Sequence, residues 1–479
     1  MTRTEEDSLG AVEVPDDAYY GAFTARARDN FAITGGTPPR ELVRALARIK
    51  IAAARANRDM DLLDAETADA IVSAAEEVAA GEFDDQFVID PLQAGAGTPV
   101  HMNANEVIAN RATELLGGDR GDYDVHPNDD VNMGQSSNNV VPTAFRLAAL
   151  DRADALLTEL EALAGALSDR AAMFDGVVTV GRTHLQDAVP ITLGQEFEAY
   201  ATMIERAHGR ISDAADDLRR VGLGGNAIGT GINTPPEFRE AVVAELAAVA
   251  DRDLVAAADP IAATRSMAPF AHLSSTLRTA AAESEQIAHD LMLLASGPVA
   301  GLHEITLPEV EPGSSIMPGK VNPSVPEAFA MACVQVEGHD HAVSRATSMG
   351  DLELNVMAPV IGHNLLSALD TFASAAAMLR DRCIAGIEAD TDRIADLFED
   401  STAIATALSP YLGYDRTADL VHEALDRGER IDDLVVERGW ITADEVNDLL
   451  DPARLTGPSG VDGTLRDRVR DRLEDDGDG

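Results

Sequence analysis

A chain of 479 residues carries a formal charge of −46 at pH 7, with 45% apolar residues. The length suits about three average domains, and the apolar share can fill a large core. Acidity of this size excludes a binder of nucleic acid or anionic membranes, since both would be repelled.

The chain opens on the polar, acidic stretch MTRTEEDSLG, which does not read as a secretory signal. Residues 1–140 read as a mixed helical domain, with helices over 40–60 and 65–80, the second stopped by Gly81. Polar loops follow around Gln93-Ala94-Gly95-Ala96-Gly97-Thr98 and His126-Pro127-Asn128-Asp129-Asp130. Residues 141–394 then turn Ala-rich. Leu273, Leu277, Ala280, Ile287, Leu291 and Leu294 recur at helical steps. Similar patterns predict helices over 143–172, 193–220, 237–250, 325–344 and 357–383. Several exceed the usual globular length, so a long bundle is expected, with few strands. Helices apolar on more than one face suggest a homo-oligomer whose bundles merge. Residues 395–479 read as a small C-terminal helical domain, with helices over 400–414 and 441–450 and a disordered acidic tail from Leu473.

The charge is interspersed with apolar positions, so it is expected to form the solvated surface of a protein from a salt-rich cytosol. Cys333 and Cys383 lie in apolar helical patterns and read as buried thiols of a reducing compartment. No run approaches the length of a membrane span. A soluble, cytoplasmic protein is expected.

Residues 222–227 fit the dinucleotide pattern G-x-G-x-x-A, but a charged helical segment precedes them where a strand is required. A loop between helices is the better reading. No Cys/His cluster has zinc spacing, and His339-Asp340-His341 is a weak metal candidate, so no metal and no cofactor are expected.

Four polar clusters remain. One holds Gly97-Thr98 and, further on, His101-Met102-Asn103-Ala104-Asn105-Glu106. A second is Asn132-Met133-Gly134-Gln135-Ser136-Ser137-Asn138-Asn139. A third is Gly181-Arg182-Thr183-His184-Leu185-Gln186-Asp187. The fourth is Gly313-Ser314-Ser315-Ile316-Met317-Pro318-Gly319-Lys320-Val321-Asn322-Pro323, followed by Glu327. Taken singly, each of the first two reads better as a turn or helix cap, and for His184 in the third the two readings are about even. The fourth does not read that way, because Lys320 is one of only two lysines in the chain. A lysine is a compact charge on a flexible stem, suited to a small anion in a tight loop. Together the clusters point to a small acidic ligand, an imidazole–carboxylate acid/base pair, and a serine whose oxyanion backbone N–H groups could stabilise.

At these residues the chain resembles the aspartase/fumarase superfamily, whose loop G-S-S-x-M-P-x-K-x-N is matched in full from Gly313 to Asn322. The resemblance implies a mainly α, three-domain fold whose central long-helix bundle merges in a homotetramer, with active sites shared between subunits. It implies anti elimination from a C4 dicarboxylate to give fumarate. By motif, Ser314 is the general base, Lys320 and Asn322 stabilise the aci-carboxylate, and Thr183 and Ser315 bind carboxylate. His184, paired with Glu327, stands at the leaving-group end. Thr98, Ser136, Ser137 and Asn138 complete the substrate site. His126, Asn128 and Asp129 resemble a secondary anion site and read equally well as a plain turn.

Gly95-Ala96-Gly97-Thr98, where fumarases usually have Gly-Ser-Gly-Thr, looks like aspartase, as do residues 85–93, 187–190 and 352–357. His126-Pro127-Asn128-Asp129 and Ser136-Ser137-Asn138 look like fumarase, and Asn139 stands where both have Asp. L-Aspartate to fumarate and ammonia is the favoured reaction, and L-malate to fumarate and water the alternative.

Overall fold

The computed structural model describes residues 1–475. Helices dominate, and among the described residues the strands are short segments paired two by two. The chain forms two compact units, one from residues 1–160, 206–283 and 331–375, the other from 161–205, 284–330 and 376 onward.

The first unit opens with an antiparallel hairpin, β1 (Thr2–Asp7) and β2 (Gly10–Pro15). α1 (Ala22–Asn30), α2 (Arg40–Asp59), α3 (Ala65–Ala80) and α4 (Thr98–Leu115) follow. α3 begins on Asp64, which accepts the Thr67 N–H, and ends on Gly81 at φ 94°. That conformation favours glycine, which is why the pattern stops there. α4 is buried almost throughout, polar residues included. Its Glu106 accepts the backbone N–H groups of Gly21, Phe23 and Thr24, which fixes the chain entering α1.

Five long helices carry the Ala-rich region: α5 (Ser137–Met173), α6 (Leu193–Asp216), α9 (Ala268–Leu294), α10 (Ser324–Thr347) and α11 (Ala358–Arg382). The shorter α7 (Phe238–Ala250) and α8 (Pro260–Arg265) lie between α6 and α9 in the chain. Within the first unit α5 and α11 touch closely, because a Cβ on Gly362 would lie 2.2 Å from the Phe145 ring. Arg146 of α5 stacks over Phe270 of α9, and Asp340 of α10 accepts from Ser274 and pairs with Arg278, both on α9. In the second unit Phe174 meets Phe197 edge-on, and Tyr200 of α6 donates to Asp290 of α9. The helix predicted over 193–220 gives way at Asp217 to a 3₁₀ turn and the two-residue strand Arg220–Val221.

From residue 404 onward Leu408, Leu420, Leu434, Val435, Ile441 and Val469 gather in a core of their own. The helix predicted over 400–414 is split, since Gly413 at φ 85° separates Ala405–Leu412 from Tyr414–Arg427. Leu473, where a disordered tail was expected to begin, instead lies in the helix Gly463–Asp475 and is 6% exposed. Residues 476–479, where the rest of that tail was expected, lie outside the described residues. Cys333 and Cys383 are buried and form no disulfide, and no described helix is long and apolar enough to cross a membrane.

Candidate active site

The first two clusters lie in the first unit. Gly95, Ala96 and Gly97 all have positive φ, at 65°, 54° and 92°, and form an arch that delivers Thr98 to the start of α4. A Cβ on Gly97 would lie 2.6 Å from Val141, so the arch tolerates no side chain there. Thr98 donates its hydroxyl to the Gly95 carbonyl at 2.7 Å and keeps its lone pairs free to accept.

Ser136 caps α5. Its Oγ accepts the Asn138 N–H at 3.3 Å, and its carbonyl accepts the N–H groups of Asn139 and Val140. Asn138 donates to the Ala227 carbonyl at 2.7 Å. The glycine segment at residues 222–227 therefore buttresses this cluster. No helix starts from it, so it lacks the geometry that cradles a pyrophosphate. Asn139 turns away. It is 3% exposed, and its amide donates to Thr264 of α8 at 3.3 Å, so its departure from the family pattern concerns packing behind the site.

Behind Ser137 stands His101 of the first cluster, paired with a residue that sequence reasoning missed. Lys50, the second lysine, and His101 are both fully buried, with Nζ 2.7 Å from Nε2. Lys50 also reaches Gln135 Oε1 at 2.8 Å and Asn132 Oδ1 at 3.1 Å, and His101 Nδ1 lies 2.8 Å from Ser137 Oγ. Burial pushes the Lys50 pKa well below its usual value; burial and then Lys50 do the same to His101. The signal was the scarcity of lysine, which applied to Lys50 as much as to Lys320.

His126 closes a turn. Its Nδ1 accepts the Asp129 N–H at 3.1 Å, and its own N–H donates to Asp130. A cavity of about 630 Å³ adjoins it, lined by Asn128 and Arg26 but also by Glu5, Glu6 and Asp7. Arg26 already pairs with Asp7, so the turn reading accounts for these residues.

The other two clusters lie in the second unit. Strands β3 (Val178–Thr183) and β4 (Gln186–Thr192) pair antiparallel, and His184-Leu185 makes the two-residue tip with φ of 57° and 60°. Two consecutive positive φ angles make a tight turn that suits the twist of a hairpin. Buried Glu304 braces β3 along its length by pairing with Arg182 and accepting from Thr179. Thr183 and His184 stand exposed at the end of this stiff hairpin.

The fourth cluster is a closed loop. Asn322 donates to the Gly313 carbonyl at 2.6 Å. Ser314 Oγ accepts two backbone N–H groups, from Ile316 at 3.2 Å and Met317 at 3.1 Å. Two N–H donors on one serine oxygen are an arrangement that can stabilise an oxyanion. Lys320 and Ser315 are exposed, and Lys320 and Asn322 border a cavity of about 480 Å³. Glu327 lies exposed in the first turn of α10, and no hydrogen bond or ion pair joins it to His184 among the described residues. His339 contacts Asn364 while Asp340 faces α9, so that triplet does not converge.

Residues 10–338 match the family model described as Lyase, and residues 404–457 match Fumarase C C-terminus. The chain is 48% identical to a fumarate hydratase class II of Halobacterium salinarum, over 95% of this chain and 97% of that one. It is 44% identical to an aspartate ammonia-lyase of a Bacillus species, over 95% and 98%. The solved fumarate lyase:delta crystallin of Brucella melitensis superimposes with a TM-score of 0.93 at 45% identity, covering 96% of this chain and all of that one. A class II fumarase of Schistosoma mansoni gives 0.92 at 35% identity, with the same coverage. The chain belongs to the aspartase/fumarase superfamily and is a fumarate-forming lyase.

Proposed function

We propose that this lyase converts L-aspartate to fumarate and ammonia by anti elimination. Ser314 removes the Cβ proton. Its two backbone donors lower the cost of the alkoxide, which is the group strong enough for so weak an acid. Lys320 and Asn322 stabilise the aci-carboxylate as charge flows into it, assisted by Thr183 and Ser315. Thr98, Ser136, Ser137 and Asn138 hold the substrate, and His184 with Glu327 serves the departing amine. No step calls for a metal or cofactor.

The observation that carries ammonia over water is Ala96. It is 3% exposed in the arch that delivers Thr98, where fumarases usually place a serine. A methyl there removes a hydroxyl that could hold the water to be added. Residues 352–357 favour the same reading.

Hydration of fumarate is the second reading, favoured by Ser136-Ser137-Asn138 and by the hydratase relatives. A sample purified in high salt, assayed for fumarate absorbance with L-aspartate and with L-malate, decides. Turnover of malate alone would refute the first reading.

The same reading places the working site between copies in a homotetramer, with its clusters contributed by three different chains. It rests on the exposed Thr183, His184 and Lys320, and on Met331 and Val334, 64% and 57% exposed three residues apart on α10. Light scattering in high salt tests it; a stable monomer with full activity would rule it out.

A further inference from the structure

We propose that Lys50 and His101 are positioning residues that set the hydrogen-bond polarity of Ser137, and that binding of a dicarboxylate charges Lys50 with one proton. The proposal rests on Ser137 being a substrate-binding hydroxyl, as above.

The amides around Lys50 have fixed orientations. Gln135 donates its nitrogen to the Val131 and Met133 carbonyls, and Asn132 donates its own to the Gln135 carbonyl. Their oxygens therefore face Nζ as acceptors. The third neighbour, His101 Nε2, either accepts from Lys50 or donates to it. A neutral amine has two protons and one lone pair. It satisfies all three neighbours only by donating to both amides and accepting from Nε2–H. An ammonium has three protons and satisfies them only if Nε2 is bare.

The choice propagates. With Lys50 neutral, His101 Nδ1 carries no proton, so Ser137 donates to it and presents lone pairs to the site. With Lys50 charged, Nδ1–H donates to Ser137, whose own O–H then points out as a donor. A carboxylate is acceptor-only, so it requires the second state.

The empty enzyme favours the first. Lys50 is 0% exposed, and no carboxylate among the described residues pairs with it; His101 is the titratable group that faces it. His101 sits in the first turns of α4 and Ser137 at the start of α5, so two helix N-termini add positive potential there. Desolvation and these termini both disfavour an ammonium. When a carboxylate arrives, the Ser137 O–H turns to it. Nδ1 then takes a proton from solvent, and the Nε2 proton passes to Lys50 Nζ. The net change is one proton gained and no electrons moved.

Having only two lysines makes the test direct. Protein labelled with ¹⁵N at lysine Nζ should give two signals, with Lys320 identified by its loss in Lys320→Ala. Lys50 should appear as an amine in the free enzyme and as an ammonium when saturated with succinate, a non-reacting dicarboxylate. An ammonium in both states, or an amine in both, overturns the proposal. Failure of succinate to bind, read by calorimetry, overturns the C4-dicarboxylate reading and this proposal together; binding without change at Lys50 overturns this proposal alone. Because Lys50→Met would leave the Asn132 and Gln135 amide oxygens without their partner and endanger folding, a second arm uses His101→Gln. It should lower kcat/KM about 10-fold in the wild-type background and have no further effect in Ser137→Ala. Additive losses would show a structural role instead.

Discussion

Asn322 donates its side-chain amide to the Gly313 carbonyl at 2.6 Å, so the two ends of the serine–lysine loop are tied across nine residues. The tie leaves no room at Gly313, where a Cβ would lie 2.0 Å from the Lys320 carbonyl oxygen. Gly313→Ala should therefore open the loop and lower kcat about 100-fold, because small displacements of reacting groups are costly. Circular dichroism should be unchanged, since the loop bears no core residue. Near-wild-type kcat would show that closure is dispensable.

Ser314→Ala should remove the base and reduce kcat by at least ~10³, with the oligomer intact. Lys320→Ala should do the same. Lys320→Arg should rescue little, because a planar fork does not replace a compact ammonium in a closed loop. Stopped-flow traces of fumarate formation would report both. An active Ser314→Ala enzyme would move the base elsewhere.

Much of this was legible in the sequence because the signals are local. The long helices follow from apolar residues at 3.6-residue spacing, and the loop that holds Lys320 is bracketed by its own Gly and Pro residues. What was not legible depends on partners far along the chain. Lys50 lies between Ile49 and Ile51 in a helix, and its partners are 51, 82 and 85 residues away. Little in His184-Leu185 advertises a hairpin tip, since histidine only occasionally adopts positive φ and leucine rarely does. Asn139 belongs to the motif by position, yet the helical rotation turns it away from Ser137 and Asn138 towards Thr264.

Ala96→Ser bears on the leaving group. Ala96 already holds φ 54°, and serine adds only a hydroxyl to the same Cβ, so the backbone strain is unchanged. The ratio of kcat/KM for malate to that for aspartate should rise, by about 10-fold if the hydroxyl binds water. Steady-state assays with both substrates measure it. An unchanged ratio would remove Ala96 from the specificity argument.

The charge of −46 is spread over a folded surface, so self-repulsion opposes the native state when counterions are few. The thermal midpoint should climb steadily as KCl is raised from low to molar concentration. Glycerol at matched water activity should not reproduce the effect. A midpoint independent of salt would mean that the repulsion is already neutralised by local ion pairs.

Glu196 supplies the pH prediction. It lies in the first turn of α6, and its Oε2 is buried without a hydrogen-bond partner. Burial, and then the charge of Glu304, raise its pKa from 4.5 to about 7. The folded state thus holds this proton more tightly than the unfolded chain does. Stability associated with the protonated carboxyl is complete below about 4.5 and is lost as pH rises to about 7, with no further change above. The loss is on the order of 2 kcal/mol, allowing for partial exposure of the side chain. Glu196→Gln mimics the protonated form, so its thermal midpoint should match wild type at pH 4.5 and exceed it increasingly up to pH 7. Calorimetric scans at fixed salt across that range measure the difference. A constant gap at every pH would show that the gain came from packing, and no gap would show that Glu196 ionises freely.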